Sequence, residues 1–274
     1  MAIISLLKAN IKGSNLLLGV NIDHIAVLRE ARKINDPNPL DALSICKLSG
    51  ADQITIHLRE DRRHIHDNDA KAICVQSSLP VNLECSINED IIDIVCKLKP
   101  ARATLVPENR NEVTTEGGLD VETHFEKLKK VVEKLHDNEI EVSLFIDPDD
   151  EIIELSSKLK VEWIELHTGT FANVYAMLYS NLSNTHHSIK ELELSKKELK
   201  EKLDNSIKAI ENSTKFAIKQ NLKVAAGHGL NYQNVTLISN INGITELNIG
   251  QSIVARSVFT GLSKAIIDMK ELIK

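Results

Sequence analysis

The sequence predicts an α/β chain closed into a (β/α)8 TIM barrel with extra helices, and three observations carry that reading. Eight short runs of alternating apolar residues recur along the chain, each parted from the next by a helix-forming stretch. At 274 residues the chain lies near the ~250 typical of a closed eight-stranded α/β barrel. At the carboxyl ends of the runs, histidine, carboxylate and amide side chains fall on the face opposite the aliphatic ones. A doubly wound open sheet is the competing architecture, but no GxGxxG follows the first strand and no GxxxxGK[ST] occurs. Residues 1–274 are therefore expected to form a single TIM-barrel domain, with a helical insertion at about 172–206.

The first strand is expected at Leu16 to Asp23, with Asn21 and Asp23 on one face and Val20 and Ile22 on the other. HIAVLREARK and a DPNP turn follow, and Pro39 suits the first turn of a helix that Gly50 ends. In the second strand, QITIHL, Thr55 and His57 oppose Ile54, Ile56 and Leu58; Arg59, Arg62, Arg63 and His64 come directly after it. A helix over 67–78 leads to strand three, VNLECS, in which Asn82 and Glu84 share a face. An amphipathic helix over 88–98 precedes strand four, Ala103 to Pro107. The polar, glycine-bearing loop ENRNEVTTEGGLD then exceeds a simple connection and is a candidate active-site loop.

A helix over 121–138 leads to strand five, EVSLFID, and one over 149–159 to strand six, VEWIELHTG, where Glu165 and His167 share a face. The interval from Phe171 to Gln220 is the longest between strands; it reads as one or two extra helices leading into the sixth barrel helix. Strands seven, LKVAAGHG, and eight, ITELNIG, flank a short helix over 233–240, and one last helix is expected from Ser252 to Lys274.

Composition excludes several classes. With 42% hydrophobic and 26% charged residues the chain is typical of soluble globular proteins, and no apolar run approaches the ~20 residues of a membrane span. The N-terminal stretch lacks the pattern of a secretory signal, so a cytoplasmic location is expected. Cys46, Cys74, Cys85 and Cys96 form no CxxC pair, which fits scattered thiols in a reducing compartment. A formal net charge of -6 argues against a nucleic-acid or anionic-membrane partner.

If the apolar faces pack on helices, the barrel interior receives Asn21, Asp23, His57, Asn82, Glu84, Glu165, His167, His228, Glu246 and Asn248. So many ionisable groups cannot sit inside unpaired, because an isolated buried charge costs several kcal/mol or shifts its pKa. An antiparallel sheet with one wet face would leave them merely exposed, but helices between the strands imply crossovers that cover the sheet. Turns AAGHGL and NIGQS, after strands seven and eight, lie where barrels commonly hold a phosphate. Arg59, His64 and Arg32 suit a second anion. His57, His228 and Glu84 are the candidate proton-transfer groups. Lys223 has a parity opposite to His228, which disfavours a protein-bound imine, and no HExxH or comparable metal motif occurs.

GVNIDHIAVLREAR, ITIHLREDRRHIHD, VNLE, LVPENRNEVTTEGGLD, VSLFID, IELHTG, AAGHGL and ELNIG, in this order, closely resemble the pyridoxine 5'-phosphate synthase family of the deoxyxylulose-dependent vitamin B6 pathway. The resemblance implies a transferase of pyridoxine biosynthesis that works as a homo-octamer without metal or organic cofactor. It would condense 1-deoxy-D-xylulose 5-phosphate with 3-amino-2-oxopropyl phosphate, giving pyridoxine 5'-phosphate, inorganic phosphate and water. Matched motif by motif, it implies His57 and Glu84 as proton acceptors, His228 as proton donor and Glu165 as a transition-state stabiliser. Asp23, His24, Arg59, His64 and Thr114 would bind the deoxyxylulose phosphate; Asn21, Arg32, Gly229 and Gly250 would bind the aminoketone phosphate. The chain departs from the family twice: Gln251 stands where a histidine is usual, and the interval after strand six is longer. A metal-dependent barrel aldolase or sugar-phosphate epimerase, and a phospho-ligand binding protein without turnover, are the alternatives.

Overall fold

The structure is a computed structural model and describes residues 16–108 and 117–274. Eight parallel strands close into a barrel in sequence order. They are β1 (Leu17–Asn21), β2 (Gln53–His57), β3 (Val81–Cys85), β4 (Arg102–Leu105), β5 (Glu141–Ile146), β6 (Trp163–His167), β7 (Lys223–Gly227) and β8 (Ile244–Ile249). Each pairs with its sequence neighbour, and β8 pairs back onto β1 with Gly19 opposite Asn248. This is the (β/α)8 barrel that strand alternation predicts.

The crossovers are α1 (Asp23–Glu30) and α2 (Ala42–Leu48), then α3 (Asp67–Gln76), α4 (Glu89–Leu98), α5 (Phe125–His136) and α6 (Asp150–Lys158). After β6 come α7 (Gly169–Tyr179) and α8 (Lys196–Lys219), and after β7 comes α9 (Val235–Ser239). The chain ends on α10 (Gln251–Thr260) and α11 (Leu262–Leu272). Eleven helices for eight strands leaves three extra among the described residues, one each in the intervals after β1, β6 and β8.

Strand alternation divides two environments. Ile54, Ile56, Leu83, Leu144, Ile164, Leu166 and Leu247 face outward, fully buried, under helix residues such as Ile73, Ile92, Leu128 and Ile153. The alternate positions, Gln53, Thr55, Asn82, Thr104, Glu165, Glu246 and Asn248, are equally buried but face the barrel axis and are polar. Between β6 and β7, residues 180–195 carry only two short 3-10 turns and are largely exposed. A capping box at Ser195 and Glu198 then starts α8, whose buried Leu199, Leu203, Ile210 and Ala217 recur at helical spacing.

Two expectations give way. Asp23 does not extend β1; it opens α1. The single last helix is two: Gly261, at φ 78°, breaks it, and its N–H closes the end of α10 on the Ser257 carbonyl at 2.8 Å. α11 then packs against α10, tied by Arg256 to Asp268.

Candidate active site at the carboxyl end of the barrel

The carboxyl ends of the strands enclose a cavity of about 550 Å³. His57, the last residue of β2, enters its wall. Its backbone N–H donates to both carboxylate oxygens of Asp23, at 2.9 and 3.2 Å. Asn21 braces the same carboxylate: its Nδ2 donates to Asp23 Oδ2 at 3.0 Å, and its Oδ1 accepts the Asp23 N–H at 2.9 Å. Burial lifts Asp23 to about 6, with the His57 charge pulling the other way. On its far side the His57 ring meets Glu108, Nε2 to Oε2 at 3.7 Å, and Arg59 reaches the other Glu108 oxygen at 3.6 Å. Burial works to raise Glu108, yet bonds and charge from His57 and Arg59 hold it below the usual carboxylate range.

Glu84, from β3, and Glu165, from β6, form the floor. Burial raises Glu84 well above its ordinary value, and the charges of Glu165 and Asp23 add to the effect. Burial and repulsion from Glu246 lift Glu165 to about 7. Such a carboxyl exchanges protons near neutrality, which an exposed one does not. Glu165 needs room, and Gly227 supplies it: a Cβ there would lie 2.1 Å from Glu165 Oε1.

Below the floor, hydrogen bonds between strands that are not neighbours cross the barrel axis. Asn248 Nδ2 donates across to Glu165 Oε2 and, within β8, to Glu246 Oε1. Arg102 donates to Glu246 and to Gln53 Oε1, and its guanidinium lies 4.3 Å above the Trp163 ring. Lys223 has interior parity too, in register with Trp163, but sits exposed at the amino-terminal end of β7, 3.4 Å from Glu141. Its distance from the chemistry follows from its place along the strand rather than from parity.

His228 reaches the cavity by an unusual route. Ala225 pairs with Glu165 and Gly227 with His167, so plain alternation would turn residue 228 outward. A left-handed backbone, φ 79°, turns it back, and Gly229 follows at φ 77°. The Thr168 hydroxyl holds this turn with a bond shared between the carbonyls of Gly227 (2.7 Å) and His228 (2.6 Å). Burial and the neighbouring His167 push His228 down to about 4. Opposite, α10 begins at Gln251, which lines the same cavity as Gly229 and Gly250, and the first N–H groups of a helix have no intrahelical partner.

Of the residues singled out from sequence, Asn21, Asp23, His24, His57, Arg59 and His64 line this cavity. So do Glu84, Glu165, His228, Gly229, Gly250 and Gln251. Arg32 does not: it lies exposed beyond the end of α1, outside the cavity wall. Thr114 lies outside the described residues. Sequence reasoning passed over Glu108, although it opens the loop marked as a candidate, and Asp147, the residue just beyond β5. Among the described residues no group of three or more His, Cys, Asp or Glu is arranged to hold a metal ion, and no helix is long and apolar enough to cross a membrane.

A parallel barrel whose carboxyl mouth joins imidazoles, carboxyls of raised proton affinity and a helix amino terminus defines an enzyme of the class that transforms small anionic substrates. Comparison with known proteins narrows this. The model of the family described as pyridoxal phosphate biosynthesis protein PdxJ matches residues 18–274, and the chain belongs to that family. A pyridoxine 5'-phosphate synthase of Aliarcobacter butzleri is 85% identical over 259 residues, 94% of this chain and 99% of the relative. One from Nitratiruptor sp. is 66% identical over 256 residues, covering 93% and 97%. Among solved structures, a phosphoribosylanthranilate isomerase from Thermotoga maritima covers 94% of this chain and 98% of its own, with TM-score 0.55 and 12% identity. A 4-hydroxy-2-oxoglutarate aldolase from TTHB1 gives TM-score 0.58 at 9% identity, each chain 94% covered. At those identities the likeness is one of fold.

Proposed function

We propose that this chain makes pyridoxine 5'-phosphate by condensing 1-deoxy-D-xylulose 5-phosphate with 3-amino-2-oxopropyl phosphate, releasing inorganic phosphate and water. The observation that carries the reading is the convergence of His57, Glu84, Glu165 and His228 on one cavity in a chain 85% identical to a pyridoxine 5'-phosphate synthase. In this scheme the substrate amine condenses with the partner ketone and expels a first water, the resulting enamine loses inorganic phosphate, and an aldol-type closure is followed by loss of a second water to the aromatic ring. Every step moves a proton, and the site is rich in groups that do so near neutrality.

His57 and Glu84 act as proton acceptors, and Glu165, in its protonated form, donates a hydrogen bond to developing negative charge. His228 is neutral in the empty cavity at pH 7, since burial and His167 depress it to about 4. An arriving phosphate dianion favours the imidazolium, so His228 becomes a proton donor when substrate is bound. Asp23, His24, Arg59, His64 and Thr114 hold the deoxyxylulose phosphate, whose anion Arg59 and His64 receive. Asn21, Gly229, Gly250 and Gln251 hold the aminoketone phosphate at the start of α10, with Arg32 reaching it only by a change of position. A homo-octamer in the cytoplasm belongs to the same reading.

The test is to mix the purified protein with both phosphates and follow the absorbance of a pyridine ring, then repeat with His57→Ala, Glu84→Gln and His228→Ala. Turnover in the parent and a loss of about 100-fold or more in each variant is expected for general acid and base groups. Full turnover in all three variants would overturn the assigned roles, and absence of the ring product in the parent would overturn the reaction.

A further inference from the structure

His167 and Asp147 have no part in the chemistry above, yet their geometry is specific. His167, the last residue of β6, has its side chain 4% exposed, and its Nδ1 lies 2.9 Å from Asp147 Oδ1. The other Asp147 oxygen accepts the Gly118 N–H at 2.9 Å. Although burial opposes it, these bonds hold the Asp147 carboxyl below the usual range, so it accepts and does not donate. The proton of this pair therefore sits on His167 Nδ1, which fixes the tautomer and the rotation of the ring.

The fixed ring bears directly on His228. Their centroids are 5.0 Å apart at 70°, and Phe145 packs on both, at 5.0 Å from His167 and 6.3 Å from His228. His167 Nε2 points to the start of α7, where no side chain fits: a Cβ on Gly169 would lie 2.4 Å from that nitrogen and 3.2 Å from His228 Cδ2. The backbone of His228 is already held by Thr168, so the direction of its imidazole depends on the two rings beside it.

We propose that Asp147 and His167 are positioning residues for His228: the carboxylate locks the His167 ring, and that ring, with Phe145, aims the His228 imidazole into the cavity. The inference rests on the proposed reaction for its consequence, but the geometry stands apart from it. Asp147 acts through His167, and His167 through His228.

The experiment compares Asp147→Ala, Asp147→Asn and His167→Phe, with steady-state kinetics on both phosphorylated substrates and imidazole ¹⁵N spectra of the parent. Asp147→Ala and His167→Phe are expected to lower kcat about tenfold or more with KM within twofold. Asp147→Asn keeps an acceptor for Nδ1 and is expected to recover kcat to within about threefold. The parent spectrum should show His167 in its Nδ1–H form. The proposal is overturned if kcat survives in both Asp147→Ala and His167→Phe, if KM carries the loss, or if Asp147→Asn is as damaged as Asp147→Ala. Should the variants fail to fold, an Nε2–H or averaging His167 in the parent spectrum overturns it alone. A parent that makes no ring product while His167 holds its Nδ1–H form counts against the proposed reaction and leaves the Asp147–His167 pair standing.

Discussion

Asn248 Nδ2 lies 2.7 Å from Glu165 Oε2, and this bond from β8 to β6 carries a cavity-floor carboxyl down into the barrel's polar interior. The same amide nitrogen reaches Glu246 Oε1 at 3.1 Å. One side chain thus serves two carboxyl groups that repel each other, one beneath the cavity and one deeper. Removing it takes that donor from Glu165 where water is scarce, while Glu246 keeps Arg102 and Gln53.

Asn248→Leu is therefore expected to destabilise the fold by about 1–3 kcal/mol, the cost of leaving a buried polar group without its partner. Urea unfolding of the variant against the parent measures it. An unchanged midpoint would mean that water replaces the amide and that Asn248 does not organise the floor.

Arg102 neutralises Glu246 from across the barrel, both side chains almost fully buried. Breaking one member of such a pair strands a charge, at a cost of roughly 3–5 kcal/mol, whereas replacing both is far cheaper. Arg102→Met should lose about that much, and Arg102→Met with Glu246→Gln should recover most of it. If the double variant is no more stable than the single one, the pair is not what makes Arg102 necessary.

These two residues also mark how far sequence reading reached. Alternation placed Glu84, Glu165, Glu246 and Asn248 on the inner face, since strand parity is local and the helices between strands require a covered sheet. It started strand four at Ala103, one residue after Arg102, and only the closed barrel reveals that Arg102 belongs to the strand and points at Glu246. His228 reaches the cavity through a left-handed backbone that no periodicity encodes. Pairing of Asp147 with His167 follows from adjacency of β5 and β6, visible once the register is known. Arg32 looked like an anion ligand by residue type, but α1 ends before it and leaves it outside.

The buried acids make a signed prediction about pH. Glu165 titrates near 7 and Asp23 near 6, both above the ~4 of an unfolded carboxyl. Between those values the native state keeps protons that the unfolded chain has shed, so the stability they contribute at low pH is lost as pH rises through 6 to 7. Glu84, also raised, adds in the same direction. His228, depressed to about 4, acts oppositely, but only below the ~6.5 of an unfolded histidine. Above pH 6.5 the histidine slope fades, and parent and variant share what remains of it, so between pH 6.5 and 8 the parent should lose more stability than Glu165→Gln. Denaturant midpoints across that range decide it, and equal slopes for parent and variant would place the Glu165 titration elsewhere.

Gln251 stands where the motif resemblance leads one to expect a histidine. As the first residue of α10 it is exposed at the cavity rim beside Gly250, where amide hydrogens and the helix dipole already favour an anion. A glutamine adds a neutral donor there, and an imidazolium would add charge. Gln251→His should tighten capture of the aminoketone phosphate by roughly two- to fivefold below pH 6.5, the worth of a partly exposed ion pair of about 0.4–1 kcal/mol. The gain should fade as pH rises past 7 and the imidazole loses its proton. KM for the aminoketone phosphate, measured at pH 6 and pH 8 with the other substrate saturating, reads it directly. A KM that is the same in parent and variant at pH 6 would show that the phosphate is held by backbone amides and the helix terminus alone.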